Sequence, residues 1–301
     1  MLPVQRSAVR VALLGGVLAI GLPLAAAADC PGRDDAIGTD RPSVTNSGTV
    51  VPFGSVQLEN GLNWTARQSV NTLDGSETRV RIGAFPCAEL IVDVPNYIRS
   101  FDVGSSSAFS ETVVSVKRQL FVQSKSFSMS VTGGIGLPGL GTSAANRGYT
   151  PYIQSPWSRS IAGPWSANGM FTLTWSTIAD TTFESTFGVG REAGRRGAVF
   201  VEYVGDYTRG GSASQIVDGG GGWHLTPKQQ VDVHVGGGLT SASPRYYVGI
   251  GYSVRLDVTR ADARGSAPAR APENNSSRRR SVPSRRGGGR RQESPSAASR
   301  A

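Results

Sequence analysis

Beyond its first 28 residues, the chain has no apolar run long enough to cross a bilayer as a helix, which needs about 20 residues. Apolar residues make up only 38% of the sequence, which is low for a helical membrane protein. The two histidines and two cysteines have no metal-ligand spacing. Helical periodicity is missing as well. These absences argue against a helical membrane protein and predict no metal and no cofactor.

Residues 1–28 have the features of a secretory signal peptide. Arg6 and Arg10 form a basic start, residues 11–24 an apolar core, and alanines at 25–28 a cleavage zone. The apolar core is too short to span a bilayer. The sequence therefore predicts export to the periplasm, the outer membrane or the medium.

The positive charge is concentrated at the other end. Of a net charge of +9, residues 259–301 contribute 11 arginines against three acidic residues. Arginine runs among Ser, Pro and Gly cannot bury a core, so residues 258–301 are predicted to be a disordered tail. A solvated tail without a partner is the plainer interpretation. Contact with an anionic envelope polymer is the alternative, and no nucleic-acid partner is expected behind a signal peptide.

Alternating apolar and polar residues fill the region between these ends. In the segment 229–256, Val231, Val233 and Val235 share one face of an extended strand, and Asp232 and His234 share the other. Period-two alternation over about ten residues in each arm predicts a β-hairpin. Similar segments recur along residues 55–257 and make 12 strands. The fold class is therefore predicted to be all-β: a transmembrane, antiparallel, up-and-down β-barrel that follows an N-terminal periplasmic segment at 29–54.

Two tryptophans support a membrane-spanning strand. Trp165 and Trp175 lie ten residues apart on the apolar face of one strand. At ~3.3 Å per residue and a tilt of ~40°, they stand ~25 Å apart along the barrel axis, the height of the apolar band of an outer-membrane barrel. A soluble sandwich rarely needs strands of that length. Outer-membrane lipid is thus an expected partner of the outer face.

Several short motifs resemble one protein family. They are Thr39-Asp40-Arg41-Pro42, Val50-Val51-Pro52, Gln57-Leu58-Glu59-Asn60-Gly61, Glu202-Tyr203 and the closing glycine-rich hairpin. Over residues 37–256 the chain resembles the phenol-degradation (MetA-pathway) outer-membrane proteins, often described as transporters. The resemblance implies a barrel in the bacterial outer membrane that takes up small aromatic or other hydrophobic solutes. The chain departs from many bacterial barrels by continuing 45 residues past Leu256.

The alternation also predicts which charged side chains point into the lumen. These are Glu59, Arg79, Arg81, Glu89, Asp93, Glu111, Glu184, Glu202, Asp206, Asp232 and His234, with Arg67, Lys117, Asp218 and Arg255 on the same face. Carboxylates in a narrow lumen are costly unless they are wet or paired. A structural ion-pair network is the first interpretation, and a mildly cation-preferring path is the second.

Catalysis finds little support, so the chain is not expected to be an enzyme. An outer-membrane phospholipase needs a His–Ser pair at the outer surface, whereas His224 lies near a predicted periplasmic turn. His234 faces the interior beside Asp232 and is interpreted as a satisfied lumen histidine. No catalytic residue is predicted. A transporter for small hydrophobic solutes is the main hypothesis, and a non-transporting envelope barrel that anchors the basic tail is the alternative. An outer-membrane enzyme comes last.

The two cysteines lie on the same predicted side of the membrane. Cys30 begins the mature chain, and Cys87 lies in the first predicted periplasmic turn. In an oxidising compartment such a pair tends to be bridged, although unpaired thiols or a bond to a partner protein are alternatives. A Cys30–Cys87 disulfide would tether residues 29–52 under the barrel mouth. Asp40 and Arg41 then become candidate plug residues, since Arg41 could reach the lumen carboxylates.

Overall fold

The computed structural model describes residues 30–101, 104–120, 126–138 and 148–258. The predicted signal peptide and nearly all of the predicted tail lie outside these residues. Within them, no helix is long and apolar enough to cross a membrane. The regular elements are β1 Ser55–Arg67, β2 Val70–Gly75, β3 Arg79–Phe85, β4 Ala88–Asp93, β5 Tyr97–Phe101, β6 Ser106–Phe109, β7 Thr112–Gln119, β8 Phe127–Leu137, β9 Thr150–Ala162, β10 Trp165–Thr174, β11 Thr182–Ala193, β12 Gly197–Thr208, β13 Ser214–Thr226, β14 Gln229–Gly238 and β15 Tyr246–Asp257.

The strands form one antiparallel sheet that closes on itself. From β7 to β15 each strand pairs with the next in the chain, and β15 pairs with β1 over 12 residue pairs, from Ser55↔Asp257 to Ala66↔Tyr246. The lower half of β1 continues through β3 and β4 to β7. Its upper half continues through β2 and β5 to β6. β2–β3, β4–β5 and β6–β7 are therefore three long strands, each interrupted once, which gives the 12 predicted barrel strands.

Residues 70–75 form a strand although Asn71, Asp74 and Gly75 are turn-favouring residues. This strand, β2, pairs with β1 on one side and β5 on the other. The reason lies in the length of β1, which has 13 residues. Its outer half, 62–67, would leave backbone donors and acceptors unpaired without a neighbouring strand. Ser106–Phe109 form the short strand β6, which pairs with β5.

The burial pattern is inverted relative to a soluble domain. Outward-facing apolar side chains are exposed, as Val201 (60%), Val233 (52%) and Ile250 (57%) illustrate. The largest fully buried side chains include Arg81, Lys117 and Glu59. An apolar outer surface around a polar interior is the arrangement of a transmembrane β-barrel and excludes a soluble sandwich. Trp165 begins β10 and Trp175 directly follows its last residue, so the two tryptophans bracket one membrane-spanning strand.

Candidate functional site

The interior of the barrel is occupied by the chain's own N-terminal residues. Residues 37–52, here called the lumen segment, contain no helix or strand and contact side chains from several walls. The side chains of Ile37, Val50 and Val51 are buried, each with at most 4% of its surface exposed. The segment enters beside the turn between β13 and β14, where the Ile37 amide donates to the Pro227 carbonyl at 2.7 Å. It leaves beside β3, where Gly83 approaches the Pro52 carbonyl so closely that a side chain would not fit.

A disulfide attaches the chain just before the lumen segment to the turn between β3 and β4. The predicted Cys30–Cys87 bridge is confirmed, with Cα atoms 5.4 Å apart and a sequence separation of 57 residues. Cys87 has a positive φ of 59° at this turn. Closing a loop of that length contributes ~4 kcal/mol in the chain-entropy description. The predicted tether therefore exists, and it lies on the β3–β4 side of the barrel.

Asp40 is the most strongly held residue of the lumen segment. Its carboxylate lies 3.0 Å from Lys117 Nζ, 3.2 Å from Arg79 Nη1 and 3.4 Å from Arg81 Nη1. Its backbone amide donates to both Glu59 oxygens, at 3.0 and 3.2 Å. Asp40 itself is only 4% exposed. A buried carboxylate that faces three cations holds the segment against the wall formed by β1, β3 and β7.

The cations around Asp40 also have partners on the barrel wall. Arg81 pairs with Glu59 at 2.9 Å and with Glu89 at 2.8 Å, and Arg79 pairs with Asp93 at 2.6 Å. Glu89 in turn accepts the Val51 amide of the lumen segment at 2.6 Å. This group of residues, the Asp40 cluster, is a compact network in which every buried cation has a carboxylate. Such completeness matters because an unpaired buried charge is severely destabilising.

The charge environment changes the acidity of Asp40. Burial alone would raise the pKa of this carboxyl, but attraction to Arg81, Lys117 and Arg79 outweighs burial. The pKa of Asp40 consequently lies well below its usual range. Asp40 is therefore ionised at every pH at which the barrel would function.

Arg41 fills a space made by glycines on the opposite side of the segment. Its guanidinium pairs with Glu77 at 2.5 Å and with Asp232 at 3.5 Å. Gly61 and Gly251 are paired across β1 and β15, and a Cβ on either would overlap the Arg41 side chain. Gly251 of the closing hairpin and Gly61 of β1 thus have a steric reason: together they leave room for Arg41.

The tip of the lumen segment reaches the far wall. The amides of Val44 and Thr45 donate to Glu202, at 2.5 and 3.2 Å, and the Thr45 hydroxyl donates to the same carboxylate at 2.7 Å. Thr45 Oγ1 also lies 2.5 Å from Thr186 Oγ1. Asn46 donates to Gln154 at 2.7 Å. We call these contacts the tip latch; they contain one charged group, whereas the Asp40 cluster contains seven.

The other predicted lumen residues lie apart from the segment. Glu111 accepts the Thr150 hydroxyl at 2.7 Å, and Glu184 accepts that of Thr172 at 3.1 Å. Asp206 lies directly across from Glu184 on β12. His234 is 6% exposed and its ring meets Tyr247 edge-on at 5.7 Å, but its Nδ1 has no hydrogen-bond partner among the described residues. The interpretation of His234 as a satisfied lumen histidine stays a prediction. His224 lies near the end of β13, at the periplasmic turn.

Glu77, Thr45 and Thr186 are among the contributors to the site that were absent from the predicted set. Glu77 alternates with Arg79 and Arg81, so its inward direction could have been found in the sequence. Thr45 and Thr186 gave no signal, because their role depends on where an aperiodic segment folds. The described residues contain no group of three or more His, Cys, Asp or Glu that could hold a metal ion.

The lumen segment separates two cavities. The larger, about 770 Å³, is lined by the segment and by inward residues of β10–β14, among them Asn168, Phe200 and His224. The smaller, about 250 Å³, lies beside Asp40 and is lined by Glu77, Arg79 and Asp93. The barrel is closed, its lumen is polar, and a chain segment lies across that lumen. The protein is therefore a membrane-spanning barrel whose passage is narrow and occluded.

Comparison with known proteins identifies the family. The model of the family described as "Putative MetA-pathway of phenol degradation" matches residues 39–256, from the first residue of the Thr39–Pro42 motif to the end of the barrel, and the chain belongs to this family. No curated protein sequence matches the chain. The match to the family model confirms the resemblance that the short motifs indicated.

One solved structure supports the fold. A crystal structure of an outer-membrane channel from Pseudomonas putida F1 is 10% identical, with a TM-score of 0.53, and the match covers 75% of this chain and 99% of that one. The KdgM porin in complex with disordered oligogalacturonate (10% identity, TM-score 0.45, 66% and 98% covered) and the CymD monoaromatic hydrocarbon channel (9%, 0.38, 67% and 88%) are more distant. The predicted location, the bacterial outer membrane, agrees with this fold.

Proposed function

We propose that the protein is a narrow channel for the uptake of small hydrophobic or aromatic solutes across the outer membrane. In this proposal the lumen segment is the barrier that a solute must displace or pass. Twelve strands lie between barrels of about 8, which side chains fill, and the open pores of 16–18. The lumen is thus wide enough to hold a chain segment, and too narrow to remain an open pore around it.

The proposal is based on one observation: the lumen segment occupies the barrel interior and has cavities beside it. A purely structural barrel would fill its interior with side chains from the strands. Here the interior is filled by a separate segment whose tip is held by only a few contacts. A cavity of about 770 Å³ is within the range of small-molecule sites. Membership of the phenol-degradation family supports aromatic solutes as the class.

The test is to fix the tip to the wall. Thr45 and Thr186 have hydroxyl oxygens 2.5 Å apart, so a Thr45→Cys/Thr186→Cys pair has side chains close enough to be bridged. Cells that express this variant should take up radiolabelled benzyl alcohol more slowly than cells with the wild type. Reductant should restore uptake, since the engineered bond is then broken. Uptake by the bridged variant at the wild-type rate would refute the barrier role.

Two controls separate the bridge from side effects. Each single cysteine variant removes the same hydroxyl without forming the bridge and should behave like the wild type. Wild type treated with reductant loses only the native Cys30–Cys87 bond, and this sample corrects for that loss. Heat-dependent migration in SDS gels verifies that every variant is a folded barrel.

The non-transporting envelope barrel makes the opposite prediction. The dense Asp40 cluster favours it in one respect, because seven charged groups, five of them buried, also stiffen a barrel. Under that alternative, uptake is equal to that of cells without the protein, in wild type and variants alike. We propose no catalytic role, since His224 and His234 lie on different strands and His234 is enclosed in the lumen.

A further inference from the structure

A groove of about 590 Å³ lies on the lipid-facing surface of the barrel along β13. Gly221 forms its floor, and the cross-strand partners of Gly221, Val199 on β12 and Val233 on β14, form its two sides. Both valines are about half exposed. Gly219, the next outward residue of β13, continues the recess between two further valines. Because glycine has no side chain, β13 is recessed below the apolar side chains on either side of it.

A tryptophan forms one end of the groove. Trp223 is the next outward residue after Gly221, and its ring lies over Gly197, where a Cβ would stand only 2.7 Å from the ring. Ala193, the cross-strand partner of Gly197, also lines this end. Tryptophans are enriched where the apolar band of a barrel meets the lipid headgroups. The groove therefore runs from the headgroup level into the apolar band, at the end of the barrel predicted to face the periplasm.

Three arginines lie beside this end of the groove. Arg191 is on the lipid-facing side of β11, two residues from the end of the strand and directly across from Val199. Its guanidinium carbon stands 5.3 Å from the centre of the Trp165 ring. Arg195 and Arg196 belong to the turn that joins Ala193 to Gly197, and all three arginines are exposed. None of the three forms an ion pair with a carboxylate in the described part of the chain.

The positive charge of this region calls for an anion. Residues 191–196 contain three arginines and one carboxylate, that of Glu192, which lines the larger cavity on the lumen side. An arginine on the lipid-facing side is unfavourable unless its head reaches the level of the headgroups. There a guanidinium group binds phosphate through two parallel hydrogen bonds. A lipid that carries a phosphate matches both features, because its acyl chain fits the apolar groove and its headgroup supplies the anion.

We propose that the groove and the three arginines bind one anionic glycerophospholipid of the leaflet that faces the periplasm. One acyl chain lies on Gly221 between Val199 and Val233, and the phosphate is bound by Arg191 together with the arginines of the turn. The site differs from ordinary contact with the bilayer, because it holds a single molecule and selects its charge. Lipid A also carries phosphate, but it occupies the opposite leaflet. The inference does not depend on the proposed transport.

Binding is measured by native mass spectrometry of the full chain in detergent, with dioleoylphosphatidylglycerol as the probe. Dioleoylglycerol has the same acyl chains without the phosphate, and lipid A is the phosphorylated lipid of the other leaflet. The wild type should retain one molecule of the probe in a saturable manner. Neither competitor should displace the probe at equal concentration.

Two substitutions test the two halves of the site, each with a matched control. Arg191→Gln should lower the affinity about tenfold, the effect of lost hydrogen bonds to a charged group. Arg209→Gln changes an exposed arginine just past β12, at the opposite end of the barrel, and should keep the affinity within about twofold. Val233→Phe fills the groove and should lower the affinity about fivefold. Val248→Phe, at an exposed valine of β15 outside the groove, should leave it unchanged.

Heat-dependent migration in SDS gels verifies that each variant is a folded barrel. If Arg191→Gln does not fold, the pair Arg195→Gln/Arg196→Gln in the exposed turn takes its place. The proposal would be overturned by the absence of saturable binding to the wild type, or by displacement of the probe by dioleoylglycerol or lipid A. Wild-type affinity in Arg191→Gln or in Val233→Phe would overturn it as well.

Discussion

Replacing Asp40 with asparagine removes the one carboxylate that faces Arg79, Arg81 and Lys117 together. The substitution keeps the shape of the side chain and leaves the backbone hydrogen bonds to Glu59 in place. Three ion pairs at 3.0–3.4 Å are lost. The perturbation therefore acts on the docking of the lumen segment rather than on the strand ladder of the barrel.

The structure allows the magnitude to be worked out. Breaking a buried ion pair by removing one partner costs ~3–5 kcal/mol. The lower end applies here, because Arg81 keeps Glu59 and Glu89, Arg79 keeps Asp93, and Lys117 keeps Glu89 at 3.7 Å. A cost of ~3 kcal/mol raises the undocked fraction of the lumen segment on the order of 100-fold.

Amide hydrogen exchange of residues 37–52 in a lipid nanodisc measures that fraction. Asp40→Asn should speed exchange of these amides about 100-fold while the strands stay protected. Asp257→Asn is the matched control, because Asp257 pairs with Lys228 at the exposed rim, where a pair is worth ~0–1 kcal/mol. If exchange of residues 37–52 were the same in the two variants, the Asp40 cluster would not be what holds the segment.

Further predictions concern pH, packing and the tether. Because the pKa of Asp40 is lowered, its contribution to docking is present above the usual carboxyl pKa of about 3.9 and is lost only as pH falls through the lowered value. Intrinsically corrected exchange of the lumen segment should thus be flat from pH 8 to about 4 and rise below that; a rise between pH 7 and 5 would contradict the assignment. Gly61→Ala should displace Arg41 at a cost of ~1–3 kcal/mol and increase single-channel conductance in planar bilayers. Gly237→Ala, where an added Cβ meets only an ordinary contact at 3.5 Å, should leave conductance unchanged. A Cys30→Ser/Cys87→Ser double variant should lose ~4 kcal/mol of stabilisation and show faster proteolysis before Asp40, and equal proteolysis would show that the bridge does not restrain the chain.

The barrel could be predicted because its signal is local. Side chains of a strand alternate between two faces, so the pattern at Val231 to Val235 already separates lipid from lumen. The same alternation assigned Glu59, Arg81 and Glu202 to the inner face. Three strand interruptions were harder to predict: those between β2 and β3, between β4 and β5, and between β6 and β7. Each contains polar or turn-forming residues, which resemble a loop in sequence even where the strand resumes beyond them.

The path of the lumen segment could not be predicted from its own residues. Residues 37–52 have no periodicity, and their amides find partners on strands more than 100 residues away, as Val44 does at Glu202. The glycines on the inner face of β15 were visible as an anomaly. The reason for Gly251 became clear only once Arg41 lay between it and Gly61, and the reason for Gly249 only once Asn63 and His234 lay against it. Contacts between an aperiodic segment and a distant wall depend on the whole fold, and no local pattern encodes them.

The two walls hold the segment unequally, and this inequality indicates how the lumen would open. On the β3–β7 side lie the disulfide, the seven charges of the Asp40 cluster and the Val51–Glu89 hydrogen bond. On the β9–β13 side, Glu202 is the one charged group that contacts the tip, and the larger cavity already lies along β10–β14. Movement that breaks the fewest interactions therefore lifts the tip at 44–46 and leaves Asp40 in place. We expect the passage to open along β10–β13, past Glu202, and this is the movement that a Thr45→Cys/Thr186→Cys bridge would prevent.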